Sequence, residues 1–289
     1  MIFWAGTGPR IKSPSRNNHP ASAMCAMPSR VVALWCWYHG DAFRGYQSQP
    51  VGPTVQEVLI KALRAAGFER NPVPAGRTDA GVHARMQVLS MRVFDDGPLE
   101  AVAARLNAQL PPTLGIALIK PADRKFHAAW RASGKVYRYG LSTAREEPGT
   151  WKVGFDRGRL EQALGLMVGE RDFGALHDPS SSRKARVIER VEVTERDGRV
   201  VVRVRGAGFA RYQVRLMIGA AVAIARDEKP LSALEAALAD PTRTDFHRLR
   251  APADGLVLDE VLYPPEVDPF SAEERREGRG VPRRPPFVD

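Results

Sequence analysis

The chain is short of the features that mark several large functional classes. Two cysteines occur in 289 residues, Cys25 and Cys36, and they form no CxxC pair. The six histidines are scattered and do not sit at zinc-ligand spacing. Neither a disulfide framework nor a structural metal is expected from such a set. No apolar run approaches the roughly 18 residues that a membrane span needs. Arg10, Lys12 and Arg16 near the amino terminus are followed by no stretch long enough for a signal-peptide core. The expectation is a cytoplasmic protein with no membrane partner. No glycine-rich stretch ends in Gly-Lys-Ser/Thr, and no G-x-G-x-x-G separates a strand from a helix, so no nucleotide cofactor is expected. No Ser or Cys stands in a nucleophile elbow.

Acidic residues are also in deficit, 33 against 43 Lys and Arg, for a net charge of +10. Residues 1–29 hold three cations and no acid, and residues 266–289 hold five cations and six acids, which leaves +8 on residues 30–265. A basic body suits a polyanionic partner such as nucleic acid. With 44% hydrophobic and 26% charged residues, the chain can form one large domain or two fused halves around a sizeable core.

Residues 1–29 lack apolar periodicity and read as a disordered extension, and the Pro, Arg and Glu of 266–289 read as a tail whose last apolar residues dock. Between them the elements alternate. Val31 to Tyr38 is apolar throughout, as a buried strand is. Thr54 and Glu57 make a capping box for a helix that buries Val55, Val58, Leu59, Ala62, Leu63 and Ala66 and ends at Gly67. Gln87 to Val93 alternates, with Leu89, Met91 and Val93 on one face. A helix through Leu99, Val102, Ala103 and Leu106 stops before Pro111–Pro112, and a strand follows at Leu114, Ile116 and Leu118.

The second half, 121–265, repeats the outline of the first, 30–120, without a residue-level repeat. Val136 to Leu141 is a strand, and Leu160 to Met167 is a helix ending at Gly169. Val187 to Thr194 and Arg199 to Arg205 flank Asp197–Gly198 as a hairpin. The helix from Arg211 to Ala225 is apolar nearly all round and should be buried. Leu231, Leu234 and Leu238 mark one more helix, and Gly255 to Tyr263 a last strand. The order argues an α+β fold of two similar halves with a mixed, mainly antiparallel sheet.

The densest local signal is Gly76–Arg77–Thr78–Asp79–Ala80–Gly81–Val82–His83–Ala84. Glycines here allow tight turns and close backbone approach to a ligand. Arg77 beside Asp79 is expected to hold that carboxylate ionised. A fixed carboxylate can serve as nucleophile or base, but Asp between glycines is also a common turn residue.

This loop resembles the signature of the bacterial tRNA pseudouridine synthases that act on positions 38 to 40 of the anticodon stem-loop. Other blocks agree in order: Tyr38 to Gln47, Thr54–Val55–Gln56, Leu106 to Pro111, Phe126–His127–Ala128 with Lys135 to Tyr139, Gly169 to Phe173, Gly208–Phe209 with Val214–Arg215, and Ala251–Pro252 with Gly255–Leu256. Three positions depart from the family pattern. Tyr46 stands where Trp is usual, Leu216 where Asn is usual, and Ser90 where His is frequent.

The resemblance implies the pseudouridine synthase fold with a central RNA-binding cleft, no cofactor, a tRNA partner and a homodimer. It implies that Asp79 is the catalytic aspartate, that Arg77 helps flip or hold the nucleotide, that Tyr137 packs on the target uracil, and that Arg215 pairs with the catalytic carboxylate. Arg44 in the first block is expected among the substrate-binding residues. Asp79 would attack C1′ of the ribose or remove the C2′ proton, and the residues leave both open. A noncatalytic RNA-binding protein on the same scaffold is the alternative. It would need the basic body but not Asp79, Arg77, Tyr137 and Arg215 together.

Overall fold

The structure, a computed structural model, describes residues 29–94, 97–143, 148–182 and 184–287. The expected extension, Ser29 apart, lies outside the described residues. In the first half, strands β1 (Arg30–Tyr38), β2 (Val73–Pro74), β3 (His83–Val93) and β4 (Leu114–Ala122) accompany helices α1 (Val55–Ala65) and α2 (Leu99–Asn107). In the second, strands β5 (Gly134–Ser142), β6 (Trp151–Lys152), β7 (Gly169–Asp172), β8 (Ala185–Arg196), β9 (Arg199–Gly206) and β10 (Leu256–Leu262) accompany helices α3 (Arg157–Gly165), α4 (Gln213–Ala225) and α5 (Leu231–Ala239). Helix α6 (Ala272–Glu277) follows.

All strands join one sheet, whose main path runs β4-β1-β3-β10-β5-β9-β8-β7. It is mixed and mainly antiparallel, with parallel pairing only at β3–β10 and β5–β6 among the described strands. The β3–β10 pairing is short, Val257 with His83 and Leu258 with Ala84, and it is where the two halves meet. Each half has its own core cluster, and Tyr137 packs against both.

Local chemistry accounts for most elements. Thr54 accepts from Glu57 N–H while Glu57 reaches back to the Thr54 N–H, so α1 starts on a complete capping box. Its Leu59 and Leu63 are buried, each worth about 1.5–3 kcal/mol. Asp197 and Gly198 both have positive φ, 53° and 76°, the two-residue turn that suits the twist of β8 and β9. All thirteen residues of α4 are buried. Helix α3 stops at Gly165 instead of Gly169, because Gly169, at φ 112°, already opens β7.

Two expectations need correction. Strand β3 was expected to have one apolar face, yet it is buried on both: Leu89 lies with Leu34, Leu59 and Leu106, while Met86 and Val88 alternate to the opposite side. The residues after 265 cover that side: Phe287 docks on Trp37 and His39 as expected of the last apolar residues, but the segment before it also packs and forms a helix, which a tail does not. Phe270 meets Trp35 edge-on with ring centres 5.7 Å apart. Helix α6 carries its own capping box, Ser271 with Glu274. Arg275 donates to both oxygens of Asp268 at 2.7 Å and to the Val261 carbonyl at 2.9 Å, with little exposure of either charged side chain.

Arg275→Met strands the Asp268 carboxylate and the Val261 carbonyl together. Stability is expected to fall by about 3–5 kcal/mol in a denaturant titration, the usual cost of breaking one side of a buried pair. A loss below about 1 kcal/mol would mean that this segment is not what closes the second face of β3.

Candidate active site

Residues 76–82 leave β2 and enter β3, and two other segments fix their path. The Gly81 N–H donates to the Phe43 carbonyl at 3.3 Å, and the Tyr46 N–H to the Thr78 carbonyl at 3.1 Å. Buried Tyr38 shares a 2.8 Å hydrogen bond with the Thr78 hydroxyl, and Gln87 Nε2 donates to the Gly76 carbonyl at 2.8 Å. Gly45 has φ 93°, and a Cβ there would lie 3.0 Å from the Thr78 carbonyl and 3.3 Å from the Asp79 backbone, so the approach of the two loops requires glycine. The amide of Val55, first residue of α1, donates to the Gly45 carbonyl at 3.1 Å, which ties the loops to the helix.

Asp79 is thereby held largely buried beside the start of α4. Arg215 Nη1 lies 4.0 Å from Asp79 Oδ2, the outer limit of an ion pair, while Arg215 Nε donates to the Ala251 carbonyl at 2.7 Å. Burial raises the Asp79 pKa above the ordinary carboxylate value, and the positive charges of Arg215, Arg211 and Arg250 oppose it without cancelling it. The expectation that Arg77 holds Asp79 ionised is corrected here. Arg77 is exposed and does not figure among the main charges acting on the carboxylate.

The ring of Tyr212 organises the three arginines. The guanidinium carbons of Arg250, Arg211 and Arg215 lie 4.1, 4.6 and 5.8 Å from its centre. Tyr212 caps α4 with φ 63°, a left-handed conformation that a non-glycine residue holds only when its surroundings enforce it. Sequence reasoning missed Tyr212 and Arg250. The Arg211–Tyr212 pair just ahead of Arg215 was the available signal.

A cleft of about 870 Å³ opens over Asp79 and brings together every residue expected there: Asp79, Tyr137, Arg215, Arg77 and Arg44. Tyr137 meets Phe209 edge-on with centres 5.1 Å apart, and the two rings form an apolar wall. Burial, then the negative charge of Asp79, raises the Tyr137 pKa, so its hydroxyl stays a neutral phenol. Arg44 lies exposed at the rim, packed over Gly52.

The three departures are absorbed in different ways. Leu216 is buried in the second core, where its neighbours are apolar. Ser90 is buried and accepts from the Ala128 N–H at 3.1 Å. Tyr46 lines the cleft with its ring buried and its hydroxyl without a hydrogen-bond partner among the described residues.

One group of side chains invites a metal. Ligand atoms of His39, Asp41 and His83 lie within 4.8 Å of one another. Yet His83 Nδ1 accepts from the Gly40 N–H at 3.0 Å, which puts the proton of the neutral ring on Nε2. Burial pushes the His83 pKa down to about 4, so the ring is neutral at ordinary pH. His83 Nε2 has no hydrogen-bond partner among the described residues, but with the proton on it neither ring nitrogen offers a free lone pair, so the trio is a poor ligand set as it stands.

The tRNA pseudouridine synthase family model matches residues 163–264. The tRNA pseudouridine synthase A of Syntrophotalea carbinolica is 36% identical over 248 residues, covering 82% of this chain and 97% of that protein. That of Bordetella petrii is 34% identical over 250 residues, covering 81% and 92%. That of Chromobacterium violaceum is 32% identical over 257 residues, covering 85% and 97%. Among solved structures, a Cbf5-Nop10-Gar1 complex aligns with 65% of this chain and 46% of that one at 20% identity and a TM-score of 0.33, too slight a likeness to carry weight.

The raised pKa of Asp79 has a consequence for stability. A carboxyl whose folded pKa exceeds its unfolded value binds protons more tightly when folded, so stability falls as pH rises from the unfolded value through the folded one. Asp79→Asn does not titrate. Its stability is therefore expected to match the wild type in acid and exceed it at neutral pH. Denaturant titrations across pH 3 to 8 measure the gap, and a gap that closes as pH rises would reverse the electrostatic assignment.

Proposed function

We propose that this chain, which belongs to the tRNA pseudouridine synthase family, uses Asp79 as its catalytic carboxylate and acts at positions 38, 39 and/or 40 of the anticodon stem-loop. The chain is an isomerase that converts uridine in tRNA to pseudouridine. The observation that carries the assignment is the position of Asp79: held largely buried, opposed by three arginines, and open to a cleft walled by Tyr137 and Phe209.

The reaction breaks the N1–C1′ bond and forms a C5–C1′ bond, with N1 gaining the proton that C5 loses. No redox change and no group donor enter the balance. The target base first leaves its stack, at a cost on the order of a few kcal/mol. Tyr137 and Phe209 offer the ring faces that receive it, and the basic rim offers phosphate contacts. Ionised Asp79 then attacks C1′ to give a glycosyl ester, or removes the C2′ proton to give a glycal, and either releases the uracil to turn. Arg215 stabilises the carboxylate form that both routes require. The neutral phenol of Tyr137 is suited to pass a proton between C5 and N1 and unsuited to act as a strong base.

A second copy of the chain completes this reading, one copy holding the RNA body and the other presenting Asp79. The cleft takes only the nucleotides nearest the target, so the rest of a tRNA must rest on other basic surface. Sedimentation of the free protein tests the dimer.

Asp79→Asn is expected to abolish pseudouridine formation, mapped on unmodified tRNA with no added cofactor, while tRNA binding persists, since phosphate contacts elsewhere dominate affinity. Turnover in Asp79→Asn close to wild type would leave the noncatalytic RNA-binding reading in place. A second expectation concerns pH. The rate should fall on the acid side as Asp79 is protonated. Arg250→Met removes one opposing cation and lets the Asp79 pKa rise further, so this limb should move to higher pH, with the displacement shrinking in high salt. A limb that stays in place would mean that it belongs to another group.

A further inference from the structure

Lys135 is the charged residue of the cleft for which the catalytic reading has no use. It is the second residue of β5, two before Tyr137, and strand alternation puts both side chains on one face. Both line the cleft. Its ammonium lies against the backbone of Gly76, where a Cβ would be 2.6 Å from Nζ, so it borders the loop three residues ahead of Asp79.

No group among the described residues answers this charge: no hydrogen bond or ion pair to Lys135 is found there, and burial alone lowers its pKa. Asp79 is not its partner: neither group figures among the main charges acting on the other. A half-buried ammonium has lost part of its water, and where the protein offers no counter-charge an anionic ligand can supply one.

We propose that Lys135 holds a backbone phosphate flanking the flipped uridine, so that β5 grips one nucleotide twice, by the base on Tyr137 and by the phosphate on Lys135. This rests on the reading of the cleft as the place where the uridine is taken. The two side chains leave the strand about 6–7 Å apart, the reach from a base to a phosphate of the same nucleotide. A phosphate fits better than a uracil carbonyl. An ammonium is a compact point charge on a flexible stem, and only an anion offsets the water it has lost. The other cleft cations stand elsewhere: Arg211 and Arg215 at α4, and Arg44 and Arg77 exposed at the rim.

The test is a binding cycle between protein and RNA. Affinity of the full chain is measured for an anticodon stem-loop, and for the same stem-loop with a single uncharged methylphosphonate linkage 5′ or 3′ of the target uridine. Lys135→Met should weaken binding of the unmodified RNA about 10-fold or more, as loss of a charged hydrogen bond does. It should lower the salt slope by about 0.7–0.9. Lys135→Arg should stay close to wild type. One of the two methylphosphonates should weaken the wild type by a similar factor and leave Lys135→Met nearly unchanged. Without RNA, Lys135→Met should melt at the wild-type temperature or above, because it removes a half-buried cation that has no partner among the described residues; a lower melting temperature, with Lys135→Arg unaffected, would make the ammonium a structural partner and overturn the proposal. So would unaltered affinity of Lys135→Met, or equal losses from both methylphosphonates in the variant and the wild type. The cycle reads binding alone. Failure of the wild type to form pseudouridine would count against Asp79 and leave the assignment of Lys135 to be decided by these affinities.

Discussion

A carboxylate kept largely out of water beside the first turn of α4 sets the terms for the rest of this molecule. Burial pushes Asp79 toward its neutral form, and Arg215, Arg211 and Arg250 push it back. Burial outweighs the three cations, which leaves a poorly solvated carboxyl with its pKa above the ordinary carboxylate value, an environment that suits a nucleophile or base. Such a balance needs fixed partners. Arg215 is anchored by its hydrogen bond to the Ala251 carbonyl, and its distance to Asp79 is therefore set by the backbone and not by the pull of the charges. The left-handed Tyr212 turns the chain into α4 so that three guanidinium groups can crowd one ring.

The seam of the sheet is what makes these partners meet. Asp79 precedes β3, Tyr137 lies on β5, and β10 runs between the two strands. Parallel pairing of β3 with β10 extends over two residue pairs, so the join between the halves depends on packing as much as on ladder hydrogen bonds. Tyr137 touches both core clusters and so serves as a packing residue on one side and as the cleft wall on the other. Its core-packing role and its expected role against the base are two ends of one side chain, apolar ring and polar tip.

Much of this was legible in the sequence where the signal is local. The capping box of α1, the all-apolar run of α4 and the Asp197–Gly198 turn each depend on neighbours a few residues away. What was not legible depends on distant covering. The alternation of β3 predicts one buried face, and nothing near it announces that Phe270 and α6 close the other from almost two hundred residues away. The Ser271–Glu274 capping box was present in the sequence, but the charged composition around it hid a short helix. The same limit applies in the site. Sequence adjacency favoured Arg77 as the cation for Asp79, whereas tertiary structure supplies Arg250 and Arg211 as well as Arg215.

The basic charge of the body therefore divides between two tasks that oppose each other. An RNA backbone entering the cleft brings negative charge toward Asp79, and that charge alone would raise its pKa and favour the unreactive acid. A cation that binds phosphate is drawn toward the RNA and cannot also be counted on to hold the carboxylate. Burial separates the roles. Arg215 is buried, tied to Ala251 and shielded by the Tyr212 ring, so it stays with Asp79 when RNA arrives. Arg44 and Arg77 are exposed at the rim and available to phosphates, whereas Arg211, tied to the Tyr212 hydroxyl, and Arg250, over the Tyr212 ring, belong to the surroundings of the carboxylate. A guanidinium suits the inner position because it remains charged where burial lowers its pKa, whereas a lysine there would be closer to losing its proton. The rim charges can then attract a polyanion while the buried Arg215 continues to favour the carboxylate form of Asp79.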